Sequence, residues 1–159
     1  MILEHTMKTT QQMWEDKLWP IRNGLYFADG TVVLLSILMP WETANKAVSI
    51  KISKTVTLEE VEEFGKNETT RIGSNNEQSY PDLNLRVLSG EASHGSEGFV
   101  AVTQITTGHL VWLAYFDCSN PFEKVSLVNG IVTAISNLGH AWHLPLAEPA
   151  TLTVVVNEQ

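Results

Sequence analysis

The chain has 159 residues, 43% hydrophobic and 18% charged, with one cysteine and a formal net charge of −8. That length is one domain able to bury a core without staples, and a lone Cys118 excludes an intramolecular disulfide and suits a reducing cytosol. An acidic surface repels phosphate and so disfavours direct nucleic-acid binding, while the longest apolar run, Val32 to Met39, is far short of the ~20 residues of a membrane span.

The N-terminus MILEHTMKTT shows neither a basic stretch nor a long apolar run of signal-peptide type, so a soluble cytoplasmic protein is expected. A first helix is expected from Thr10 to Trp19. Thr9 with Gln12 forms a capping box, Met13, Trp14 and Leu18 share a face, and Pro20 stops it. The pattern then turns to β. Leu25–Phe27 and Thr31–Leu38 flank Asp29-Gly30 as a hairpin. Ala47 to Ser53 alternates, with Val48, Ile50 and Ile52 on one side, and reads as a half-buried strand.

Thr57 and Glu60 make a second capping box and open a helix to about Gly65. Leu58, Val61 and Phe64 form its buried stripe, and Glu59, Glu60, Glu62 and Glu63 its wet side. Lys66 to Asp82 is polar and reads as a 17-residue loop. Leu83 to Leu88 is a strand, and Ser89 to Gly98 a glycine-rich connection or broken strand. Phe99–Thr106 and Leu110–Phe116 are apolar strands around Thr107-Gly108. Phe122–Val128 and Ile131–Ser136 form a hairpin through Asn129-Gly130. Trp142–Leu146 and Leu152–Val156 close the sheet. The expected fold is a single α+β domain: a mostly antiparallel sheet of about nine strands with two short helices on one side. Strands following at hairpin distance exclude an alternating βαβ order.

Charge is distributed unevenly. Thr57 to Glu97 holds nine acids against three bases, whereas Phe99 to Ala147 holds Asp117, Glu123 and Lys124 alone. The acids, Glu59, Glu60, Glu62, Glu63, Glu68, Glu77, Asp82, Glu91 and Glu97, read as one acidic face able to steer a basic partner. Trp41, after Pro40 at a strand end, is the candidate exposed anchor; the other four tryptophans read as core. The nearly chargeless C-terminal sheet suits a homodimer contact or a covered sheet.

The residues that could carry catalysis are sparse. His140 and His143 have metal-like spacing, but on a strand they point to opposite faces and lack further ligands, so no metal or cofactor is expected. Ser93-His94-Gly95-Ser96 places a hydroxyl beside an imidazole, but a triad is defined by spatial geometry with a third orienting group rather than by adjacency, so the segment reads as a polar hairpin connection. Cys118 near His109 could form a dyad, though Asp117-Cys118-Ser119-Asn120-Pro121 reads more plainly as a turn. A small hydrolase or ligand-binding protein, with a pocket lined by His94, His109, His140 or His143, is the alternative reading.

The C-terminal third resembles the ends of small bacterial immunity proteins of contact-dependent growth inhibition and polymorphic toxin systems. The matching features are Trp112 and Phe116 on an aromatic strand, the turn Ser119 to Phe122 and the hairpin at Asn129-Gly130. Further on come the Ser136-Asn137 exit, Trp142 with Pro145, and Pro149 before a terminal strand. The resemblance implies a cytosolic protein without catalytic activity that binds and blocks one cognate toxin domain, commonly a nuclease. It carries over no contact residues. An acidic inhibitor facing a basic nuclease domain agrees with it.

Overall fold

The computed structural model describes residues 8–64 and 68–157, the side chain of Phe64 excepted. Helix α1 (Thr10–Asp16) starts at the predicted capping box: Thr9 Oγ1 accepts the Gln12 N–H at 3.1 Å. It stops earlier than the periodicity suggests. Lys17 takes a left-handed conformation, φ 58°, and Leu18–Pro20 is already a strand, β1. Pro20 therefore ends an edge strand rather than a helix, a position that needs no N–H.

The hairpin β2 (Gly24–Phe27) and β3 (Thr31–Leu38) forms through Asp29-Gly30. Strand β4 (Ser49–Thr57) begins later and runs longer than its alternation implies. It lies at a sheet edge and leaves Ile52 56% exposed. Thr57 then caps α2 (Leu58–Phe64), accepting the Glu60 N–H at 3.2 Å. Leu58 and Val61 are buried; the remaining predicted stripe residue, Phe64, and the predicted end at Gly65 lie outside what is described.

The largest departure is the expected loop. Residues Thr69–Tyr80 form a 12-residue strand, β5, which pairs with β1 over Thr69 to Arg71 and with β6 (Leu85–Ala92) from Ile72 to Tyr80. Strands β7 (Gly98–Gln104), β8 (Leu110–Phe116), β9 (Phe122–Val128), β10 (Ile131–Ser136), β11 (Ala141–Pro145) and β12 (Thr153–Val155) complete the fold. The described residues thus hold twelve strands rather than nine, all paired antiparallel, in two sheets rather than one. The eight-stranded sheet is curled into a half-barrel of order β1-β5-β6-β7-β8-β2-β3-β4, and the four-stranded sheet runs β12-β11-β10-β9.

Alternation along the central strands separates two cores. On one face of the large sheet, Leu25, Val100, Val102, Trp112 and Phe116 meet Phe122, Val132, Trp142 and Leu144 of the small sheet. Phe116, Phe122 and Trp142 stack there, with ring centroids 4.4 to 6.2 Å apart. On the other face, Tyr26, Phe99, Leu113 and Tyr115 are covered by Met13 and Trp14 of α1 and by Leu58 and Val61 of α2. Both helices lie on one side, as expected. The molecule is layered: helices, large sheet, small sheet.

Candidate functional site

The candidate interface starts from α2. Its seven residues place Leu58 and Val61 against the sheet, so the four glutamates turn outward. Glu59 and Glu63 are exposed; Glu60 and Glu62 are half-buried. Glu60 also takes the Thr57 hydroxyl hydrogen at 3.3 Å. Carboxylates here interact favourably with the first-turn N–H groups. Glu68, exposed just before β5, lies close in sequence to the far end of the helix.

The rest of the predicted acidic face is scattered. β5 separates Glu68 from Glu77 and Asp82, and a strand of that length spans about 40 Å. Glu77 sits near its other end, in an exposed ion pair with Arg86 at 3.3 Å, and Asp82 is exposed in the following turn, Pro81–Leu83. Trp41 is 69% exposed in the turn Pro40–Glu42, as an anchor requires. That turn follows the end of β3 remote from Thr31, which pairs with Thr57 at the start of α2. Trp41 therefore stands a strand's length, about 25 Å, from the start of the helix.

Glu97 is a second correction. Counted among the wet acids, it is 2% exposed and forms the hub of a polar cluster. One carboxylate oxygen accepts the Thr70 hydroxyl at 3.0 Å and the His94 N–H at 2.7 Å, and lies 2.9 Å from His94 Nδ1. The other accepts the Tyr115 hydroxyl. Burial pushes its pKa up, but the hydrogen bonds from Tyr115, His94 and Thr70 outweigh that and hold it below the usual carboxylate value. Ser93–His94 is a turn, as read, and the cluster ties this β6–β7 connection to β5 and β8. Its members are spread from residue 70 to residue 115, so no local pattern reveals it.

The histidine-lined pocket does not assemble. His94 and His109 lie in the connections at opposite ends of β7. His140, just before β11, is buried, its pKa lowered by that burial, whereas His143 lies on the outer side of β11 and bonds Thr133 at 2.9 Å. These are the opposite faces that strand geometry dictates for positions three apart. Among the described residues no three His, Cys, Asp or Glu side chains converge to hold a metal. Burial, reinforced by Asp117, pushes the Cys118 thiol up to about 12, which disfavours a nucleophilic thiolate.

The chargeless C-terminal region resolves into two sides. Inward residues of the small sheet form the core. The outward ones make a grid fixed by strand register. One row is Val128, Ile131 and Pro145. The middle row is Ser126, Thr133, His143 and Thr153. The third is Lys124, Ile135, Ala141 and Val155. Lys124 is the sole Asp, Glu, Lys or Arg in that grid. Beside it, between β5 and β9–β10, a cavity of about 330 Å³ is bordered by Asn76, Gln78, Ser126 and Thr133 and by the charged pair of neighbours Glu123 and Lys124.

Compared with known proteins, the chain matches no family model, no curated protein and no solved structure. No described helix is long and apolar enough to cross a membrane.

Proposed function

We propose that this chain is a binding protein that engages one basic protein domain through α2 and Glu68, and that it acts as an immunity protein neutralising a cognate toxin, a nuclease by the chemistry of the match. The carrying observation is α2 itself. Four carboxylates stand on the outer side of a helix whose inner side is clamped by Leu58 and Val61. That is an ordered platform of one sign, which raises the association rate of a basic partner by roughly 10- to 1,000-fold at low salt. Such a surface occludes a cationic, phosphate-binding cleft without chemistry of its own. Glu77, Asp82 and Trp41 stand too far off to share the same small contact and would belong to the rim of a larger one.

The experiment pairs the tagged protein with the product of the gene encoded immediately upstream, at low and moderate salt. Expected is an equimolar complex that neutralises the partner's toxicity. Its association rate falls about 10-fold or more when Glu59, Glu60, Glu62 and Glu63 are all changed to Gln. Unchanged rate and salt dependence in that variant would remove α2 from the interface; no complex at either salt would remove the immunity reading.

A further inference from the structure

We propose that the outer face of the four-stranded sheet is a self-association surface, and that its occupant is the same face of a second copy of this chain. Exposed faces of antiparallel sheets ordinarily carry polar and charged side chains. This one carries Ile131, Ile135, Ala141 and Pro145, with Val128 62% and Val155 55% exposed at opposite corners. Strand propensity favours branched side chains here, but it does not call for removing charge. Depletion of charged residues marks the core of a protein contact.

The charge distribution selects the occupant. Two copies of a chain with net charge −8 repel. The grid positions hold no acid, and the one carboxylate bordering them, Glu123 at the β9 bulge, stands beside Lys124 at a corner, so the centre is a place where two copies approach without facing carboxylates. A basic domain drawn to α2 gains little here, since the charges on offer are Lys124 and its neighbour Glu123, of opposite sign and at one corner. The α2 helix also lies on the opposite side of the large sheet, so pairing through the small sheet leaves it open.

The pattern is self-complementary. A two-fold axis running along the Thr133–His143 row lays that row on its own copy and each apolar row on the other copy's opposite apolar row. This is the isologous geometry of a closed dimer. Lys124 falls at a corner, where its stem covers apolar surface while its ammonium stays in water. Four strands of seven, six, five and three residues present roughly 20 by 17 Å. Two such faces bury roughly 700 Å², below the ~1,200 Å² low end of stable interfaces, so the dimer is weak and concentration-dependent.

Sedimentation velocity of the full chain from about 5 to about 500 μM tests this, a range that brackets a weak dissociation constant. The expected result is a weight-average sedimentation coefficient rising toward that of a dimer, with concentration-dependent amide shifts in β9 to β12. Ile135→Glu and Val128→Glu each abolish the rise while retaining the wild-type circular dichroism. Ile52→Glu, on the exposed edge of the large sheet, leaves it intact. Should Ile135→Glu not fold, Ile135→Thr weakens association several-fold, and the shift map still locates the contact. A monomer throughout the range overturns the proposal, as does association insensitive to these grid variants or abolished by Ile52→Glu. It does not rest on the immunity reading. If Ile135→Glu impairs capture of the upstream-encoded protein but self-association is absent, the face belongs to the partner and the dimer is overturned.

Discussion

The two sheets share one aromatic core but treat water differently. Outward positions of the eight-stranded sheet carry Lys51, Lys54, Arg71, Glu77 and Glu91, whereas the small sheet's grid carries Lys124 alone. Their polar interiors differ as well. The large sheet buries a carboxylate, Glu97, with hydrogen-bond donors around it. Beside the small sheet lies a buried imidazole, His140, whose Nδ1 has no hydrogen-bond partner among the described residues. Net charge alone thus describes the molecule poorly. The four glutamates of α2 sit on the helix side of the large sheet, whereas on the far side the small sheet exposes Lys124 and its neighbour Glu123 at one corner.

The most severe way to break this arrangement is to cut the joint between the sheets. Trp142 is fully buried against Phe116 and Phe122. Trp142→Ala should cost about 3–5 kcal/mol, the range for emptying a large aromatic site. Urea unfolding followed by far-UV circular dichroism and by fluorescence measures it. Coincident transitions at a lower midpoint are expected, because the small sheet has no second core of its own. Separate transitions would show that the two sheets unfold independently.

The buried titratable groups sharpen the comparison, because each sheet responds in its own pH window. Burial holds His140 below its ordinary 6.5, so below that pH the unfolded chain binds the extra proton and stability falls. Glu97 is held below its ordinary 4.5, so its contribution is complete above 4.5 and is lost as pH falls toward its lower folded value. His140→Gln should flatten the stability profile just below 6.5 while leaving the fall below 4.5. Glu97→Gln should do the reverse and cost about 1.5–3 kcal/mol near neutrality, the value of hydrogen bonds to a charged group. Unfolding free energy measured from about pH 2 to 8 separates them; a Glu97→Gln variant that keeps the full wild-type fall below 4.5 would refute the role given to the cluster.

The small sheet's hairpin was the more legible region. Asn129-Gly130 between two alternating runs fixes β9 and β10, and the clean inward alternation on β10 follows from that. The large sheet's outer strands were not. TTRIGSNNEQSY buries only Thr70 and Ile72 fully, so β5 lacks the apolar period that announces a strand. What holds it is the ladders to β1 and β6 and long-range hydrogen bonds, among them the Thr70 hydroxyl to Glu97, Asn76 Nδ2 to the Phe122 carbonyl at 3.3 Å, and the Leu127 N–H to the Tyr80 hydroxyl at 2.8 Å. For the acids the obstacle was different. Helical period turns Glu59 and Glu63 to solvent, whereas Glu97 is dry because Thr70 and Tyr115 arrive from other strands. Glu77 and Asp82 looked adjacent to α2 while the segment between was read as a loop. An extended strand carries them away from it.

The finest contrast lies between two glycines on neighbouring strands. A methyl group on Gly90 would run into the Gly73 carbonyl and come within 2.8 Å of Ser74 Cα, whereas one on Gly73 would meet nothing within 4 Å. Gly90 pairs with Ser74 where the β5 register shifts before Asn76. The close approach thus accompanies the bulge that precedes Asn76 and Tyr80, the two residues that bond to β9. Gly90→Ala should therefore cost about 1–3 kcal/mol, as overpacking does, and speed hydrogen exchange at the Leu127 amide. Gly73→Ala should be neutral or stabilise by up to about 1 kcal/mol through the unfolded chain. If Gly90→Ala lowers stability but leaves Leu127 as protected as in wild type, the bulge is a local packing feature and does not govern how the large sheet grips the small one.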